Sequence, residues 1–119
     1  MLETIANAHP RLDTDVRLTF PFERLCPVSA EPQPGSTITI AYRAGARLLE
    51  TKALRRYLAS FAGENVYGVR DLEEAAQVIA QQCTNALGVP VRVSTAYLLA
   101  EGRMDVDVHA VPKVAGTIS

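Results

Sequence analysis

Apolar and polar residues alternate from Asp15 to Phe22, with Val16, Leu18 and Phe20 on one side. This two-residue period predicts a strand. Phe22 to Gly35 contains Pro27, Pro32, Pro34 and Gly35 and is expected to be a loop, because proline removes a ladder donor and fixes the backbone. Ser36 to Tyr42 predicts a second strand, with Ile38, Ile40 and Tyr42 on one face, and Ala44-Gly45 predicts a turn. The period then changes. Leu54, Tyr57, Leu58 and Phe61 share one helical face, and Gly63 is expected to end that helix. Asp71 suits an N-cap, with Glu73 and Glu74 in the first turn, where the helix dipole favours carboxylates. Leu72, Ala75, Ala76, Ile79, Ala80, Cys83 and Leu87 give the second helix an apolar stripe, and Gly88 stops it. Val89, Val91 and Val93 predict a third strand, and Met104, Val106, Val108 and Ala110 a fourth.

The expected order is therefore ββααββ, an α+β domain with a four-stranded antiparallel sheet and two helices on one face. Residues 1–12 and 112–119 are expected to be loose, around one domain that fills 1–119. Such a sheet leaves open edges, and joining edges between copies removes that liability, so a homo-oligomer is expected.

With 119 residues the chain can build one core but not two. Its net charge of -1 gives no indication of a nucleic-acid surface, and no apolar run reaches the length of a membrane span. Met1 to Arg11 has no signal-peptide apolar stretch, which points to the cytoplasm. Two cysteines make no disulfide framework, and with two distant histidines they make no metal site.

Candidate chemistry gathers in two segments. Cys26 opens the proline-rich loop beside Arg24, and a neighbouring cation favours the thiolate, so Cys26 is either a nucleophile or a small buried residue at a strand end. Cys83, on a helix stripe, belongs to the core. Lys52, Arg55 and Arg56 share a helix face near its N-terminus, which is either a phosphate site or a solvated face. Asp105, Asp107 and His109 share one strand face, either solvated or at an oligomer interface.

These segments carry a resemblance. Leu25-Cys26-Pro27-Val28-Ser29-Ala30-Glu31-Pro32-Gln33 is similar to the nitrile-reductase loop Cys-Pro-x-(Thr or Ser)-Gly-Gln-Pro-Asp. Glu50-Thr51-Lys52-Ala53-Leu54-Arg55-Arg56-Tyr57-Leu58 resembles the same family's signature, Glu-(Ser or Leu)-Lys-(Ser or Ala)-hydrophobic-Lys-(Leu or Tyr)-aromatic, and Ser60-Phe61 continues as that family does. The family is the 7-cyano-7-deazaguanine reductases (QueF), of the tunnelling fold, and the resemblance covers roughly Phe20 to Phe61 with the family's spacing. Glu73 to Ala80 is similar to a helix of GTP cyclohydrolase I, which shares that fold.

The resemblance implies a homo-oligomeric ring and a small purine-like base as ligand. It implies that Cys26 attacks the nitrile to form a thioimide, that Glu73 anchors the guanine-like edge of the base within a pocket reached by Ser60 and Leu72, and that Glu50, Lys52, Arg55 and Arg56 serve NADPH, with no metal. The chain also departs from the family. Gln33 replaces the aspartate that moves protons, and an amide cannot do so; Glu31 is the expected substitute. Leu72 replaces a histidine before the anchoring glutamate. Aligning Glu73 requires a gap within Glu64 to Arg70; without it Gly68 and Val69 fall on the histidine-glutamate pair. The expected function is action on a 7-deazaguanine base, nominally the reduction of its nitrile. The alternatives are a paralogue with other C7 chemistry, amidine formation or decarboxylation, and a catalytically silent base-binding ring subunit.

Overall fold

The computed structural model describes residues 1–25, 31–62 and 69–113. The alternating segments pair as one antiparallel sheet. Strands β2 (Asp15–Pro21), β3 (Thr37–Arg43), β5 (Val91–Leu99) and β6 (Gly102–Ala110) lie in the order β2-β3-β5-β6. Register puts the fully buried apolar positions on one face. Leu18 lies opposite Ile40, Ile40 opposite Val93, and Val93 opposite Val108. Helix α2 (Leu72–Leu87) crosses this face over β5 and β6. Helix α1 (Thr51–Ala59) adds Leu54, Tyr57 and Leu58 to the same core. Ile38, Ile40, Leu54, Ile79 and Val93 are fully buried there. Each such side chain contributes about 1.5–3 kcal/mol of burial free energy.

The opposite face is polar. The Thr19 and Thr39 hydroxyls bond across strands at 2.9 Å, and Asp107 takes Arg92 at 2.5 Å and the Ser94 hydroxyl at 2.9 Å. Arg92 holds the Asp107 carboxyl well below the usual range. Asp105 pairs with Arg103 at 2.8 Å, and His109 is exposed beside them.

Several expectations need correcting. The described residues contain six strands in two sheets rather than four in one. Strand β1 (Thr4–Ala6) pairs with β4 (Arg47–Leu49), although residues 1–12 are expected from sequence to be loose. Three residues are too few for periodicity to reveal a strand, and tertiary partners hold them: the Arg47 Nε donates to the Thr4 hydroxyl at 3.0 Å, and the Leu49 N–H donates to the buried Tyr42 hydroxyl at 2.9 Å. Helix α1 ends at Ala59 rather than at Gly63, which lies outside the described residues, because the Ser60 hydroxyl bonds the Tyr57 carbonyl at 2.5 Å. The third expected strand begins at Val91, after Pro90, and runs on to Leu99, since Thr95 and Tyr97 continue the buried positions. Gly88 caps α2 at φ 72°, a left-handed position that glycine takes without strain.

Candidate active site

Strand β2 ends against α1. Phe20, Pro21, Phe22, Glu23 and Leu25 form one wall of an open cleft of about 490 Å3, mouth included, and Arg55, Leu58, Ala59 and Ala62 form the other. Among the described residues the lining is apolar apart from one carboxylate, Glu23, and one guanidinium, Arg55. Leu25, the residue bonded to Cys26, lines the cleft together with Arg55, so the start of the cysteine loop and the basic helix face meet at one place. Cys26 itself lies outside the described residues.

The strand end is held firmly. Arg24 adopts φ 59°, a left-handed turn, and its N–H donates to the Pro32 carbonyl at 2.8 Å. Returning from the loop, the Gln33 N–H donates to the Leu98 carbonyl at 2.8 Å. Ser36 is fully buried, and its hydroxyl donates to the Gln33 carbonyl at 2.8 Å while accepting the Leu98 N–H at 2.8 Å. Gly35 has φ 97° and passes so close to β5 that an added Cβ would sit 3.1 Å from Leu98. Beneath the cleft Phe22 stacks on Tyr97 with ring centroids 6.3 Å apart and meets Phe61 edge-on at 6.1 Å. The Tyr97 hydroxyl donates to the Leu72 carbonyl at 2.9 Å, which links the cleft floor to the start of α2. Burial pushes that hydroxyl's pKa up.

The structure gives the expected site residues different neighbours. Glu50 is the N-cap of α1; its carboxylate accepts the Lys52 and Ala53 N–H groups at 3.1 and 2.5 Å, and those bonds lower its pKa. Lys52 and Arg55 are exposed, whereas Arg56 reaches Glu3 at 3.7 Å. The Glu31 carboxylate accepts the Ala100 N–H at 3.4 Å and does not line the cleft, and Gln33 is exposed. The Ser60 hydroxyl is turned back onto its own helix. Leu72 is half-buried and Glu73 is exposed in the first turn of α2, while Glu74, its neighbour, accepts both the Arg70 N–H and its guanidinium. Much of the gapped segment, 63–68, lies outside the described residues. Cys83 is fully buried, and burial pushes its thiol up to about 12. Among the described residues no group of three or more His, Cys, Asp or Glu gathers as a metal site, and no helix is long and apolar enough to cross a membrane.

No family model matches the chain. A curated NADPH-dependent 7-cyano-7-deazaguanine reductase of Rhodopseudomonas palustris is 44% identical over 69 residues, which are 56% of this chain and 40% of that protein. Proteins of the same name from Alkaliphilus metalliredigens and Syntrophobacter fumaroxidans are 40% and 37% identical over 65 and 62 residues, each across 39% of their length. The chain is similar to these nitrile reductases. It spans about two fifths of the length of the curated reductases it matches.

The reductase-like motifs account for Leu25 and Arg55 in the cleft but not for Glu23. Sequence reasoning passed over Glu23, which stands three positions before Cys26 at the end of an alternating strand. The signal available was its place after Phe22, where a charged residue leaves the apolar pattern just as the strand reaches the loop. The N-cap role of Glu50 was not anticipated either, since glutamate is not among the residues favoured at that position and two polar residues follow it.

Proposed function

We propose that this chain acts on a 7-deazaguanine base, nominally in reducing the nitrile of 7-cyano-7-deazaguanine, and does so as a tunnelling-fold subunit within a homo-oligomeric ring. The observation that carries the reading is the cleft where Leu25 and Arg55 meet, in a chain similar to reductases named for this substrate. In this reading the Cys26 thiolate adds to the nitrile carbon and holds the base as a thioimide. The apolar lining suits the face of a flat ring.

Lys52 and Arg55 fit the phosphates of NADPH. Both are exposed, they lie three positions apart on one helix face, and Arg55 opens onto the cleft. Arg56 supports them from behind by tying α1 to Glu3, and Glu50 fixes the first turn as its cap. NADPH, when bound, supplies the hydride. Glu73 anchors the base edge. Because Glu73 is exposed in the single chain, its hydrogen bonds to a base gain strength only where a neighbouring copy covers it. The edge strands β2 and β6 are the surfaces through which copies would join.

A second reading is favoured by Gln33 and Leu72: a paralogue that binds the same base but performs amidine formation or decarboxylation at C7. Base-dependent oxidation of NADPH, followed by absorbance, separates the two. The reductase reading predicts oxidation that falls about 10-fold or more in kcat/KM in Arg55→Ala, since a charge-assisted contact is lost, and falls less in Arg56→Ala. No base-dependent oxidation in the wild type would contradict it and leave the second reading.

A further inference from the structure

Strands β2 and β6 are the open edges of the four-stranded sheet. Neighbours in that sheet are antiparallel throughout, so β6 runs opposite to β2, and the two edges can join antiparallel between copies. The bonds already made show which backbone groups remain for such a joint. The Phe22 N–H donates to the Ser36 carbonyl and the Ala44 N–H to the Thr14 carbonyl, so even-numbered residues of β2 face β3, and Asp15, Arg17 and Thr19 turn their backbone groups outward. Both backbone groups of Leu98 bond Gln33 and Ser36, on the side away from β6. Odd-numbered residues of β5 therefore face β6, and in β6 the odd-numbered residues carry the outward groups. Odd must meet odd across the joint. That rule also sets Val16, Leu18 and Phe20 on the same face as Met104, Val106 and Val108, all of them half-buried.

Charge selects one register among those that remain. With Leu18 opposite Val106, Arg17 meets Asp107 and Asp15 meets His109. Arg17 is exposed and forms no ion pair among the described residues, and the Asp107 side chain keeps 48% of its surface. Sliding the strands by two residues one way sets Asp15 against Asp107; sliding them the other way sets Arg17 against His109. Exposed apolar residues agree with the joint. Leu12 precedes β2 and Val111 follows β6, 63% and 69% exposed, and the pairings of Asp15 with Arg43, Tyr42 with Val91 and Val91 with Ala110 put both at the same end of the sheet.

We propose that β6 of a second copy adds to β2 in this register, and that the second copy thereby supplies a wall of the cleft. Phe20 and Pro21 line the cleft, and the register sets the partner's Met104 opposite Phe20 and the partner's Arg103 opposite Pro21. Met104 shares the apolar face of Phe20, so it continues the cleft lining across the joint. Pro21 has no N–H to offer a ladder and ends the pairing there. The placement rests on the homo-oligomeric reading above and needs no bound base.

The test is disulfide trapping with copper–phenanthroline in a Cys26→Ala background, where the remaining native thiol, Cys83, is fully buried. Arg17→Cys with Asp107→Cys puts two Cα atoms about 5.5 Å apart across the joint, within disulfide reach. Within one chain the same positions are three strand spacings of about 4.8 Å apart, out of reach. A ladder of linked copies is expected on a non-reducing gel, and a second ladder from Pro21→Cys with Arg103→Cys, at the cleft end. Arg17→Cys with Asp105→Cys, two residues out of register, is expected to link far less. Arg17→Glu is expected to raise the concentration at which copies assemble about 5-fold, read by sedimentation, with thermal unfolding of the single chain unchanged. A stronger ladder from the out-of-register pair, or linkage by Arg17→Cys alone or Asp107→Cys alone, would overturn the register. Linkage at 17 and 107 without linkage at 21 and 103 would overturn the partner's place in the cleft. A wild type that stays monomeric would overturn the joint itself. All of these are read without base, so the 7-deazaguanine chemistry stands or falls separately, on the covalent adduct.

Discussion

The two cysteines show how environment decides the chemistry of one residue type. Cys83 sits on the α2 stripe with no exposed surface, and burial in an apolar core disfavours its thiolate. Its thiol is pushed up to about 12, against about 8.5 for a free cysteine. A raised folded-state pKa favours the protonated form in the fold. The stabilisation is therefore whole below about pH 8.5 and is lost as pH rises toward about 12. Stability measured by urea unfolding is expected to decline over that alkaline window, and to decline less steeply in Cys83→Ala. Tyr42 and Tyr97, whose hydroxyls burial also pushes up, contribute to the decline in both proteins, so the difference in slope isolates Cys83. Equal slopes would mean that the thiol ionises in the fold as freely as in the unfolded chain.

Among the elements, the return of the cysteine loop is tied to β5 by a few specific hydrogen bonds. A single buried hydroxyl, that of Ser36, satisfies both the Gln33 carbonyl and the Leu98 N–H. Ser36→Ala leaves two part-buried backbone groups with one partner fewer and is expected to cost about 1 kcal/mol, read from chemical denaturation. A change below a few tenths of a kcal/mol would mean that water replaces the hydroxyl. The main elements were legible in the sequence because each buries one face. The four long strands follow period two from Val16, Ile38, Val91 and Met104, and α2 is bracketed by Asp71 and Gly88 as caps. Strands β1 and β4 were not legible, since three residues carry no period and their pairing depends on Arg47, Tyr42 and other contacts distant in sequence. In the candidate site, Arg55 and the approach to Cys26 were legible as motifs. Glu23 was not, because what marks it is a shared cleft and a bond to Gly35, both products of the fold.

For the molecule as a whole, one structural fact stands beside one similarity. The end of β2 and the exposed side of α1 enclose a cleft, and the chain is similar to nitrile reductases over about half its length. The charge of the chain is nearly balanced, and three arginines of the open sheet face pair with aspartates: Arg43 with Asp15, Arg92 with Asp107, Arg103 with Asp105. Under the proposed function the chain captures a nitrile-bearing 7-deazaguanine through Cys26. Intact mass measurement after incubation with 7-cyano-7-deazaguanine tests it most directly. Wild type and Cys83→Ala are predicted to gain the full mass of one base, because addition to a nitrile expels nothing, and Cys26→Ala is predicted to gain none. An adduct that persists in Cys26→Ala and vanishes in Cys83→Ala, or no adduct in the wild type, would contradict the account.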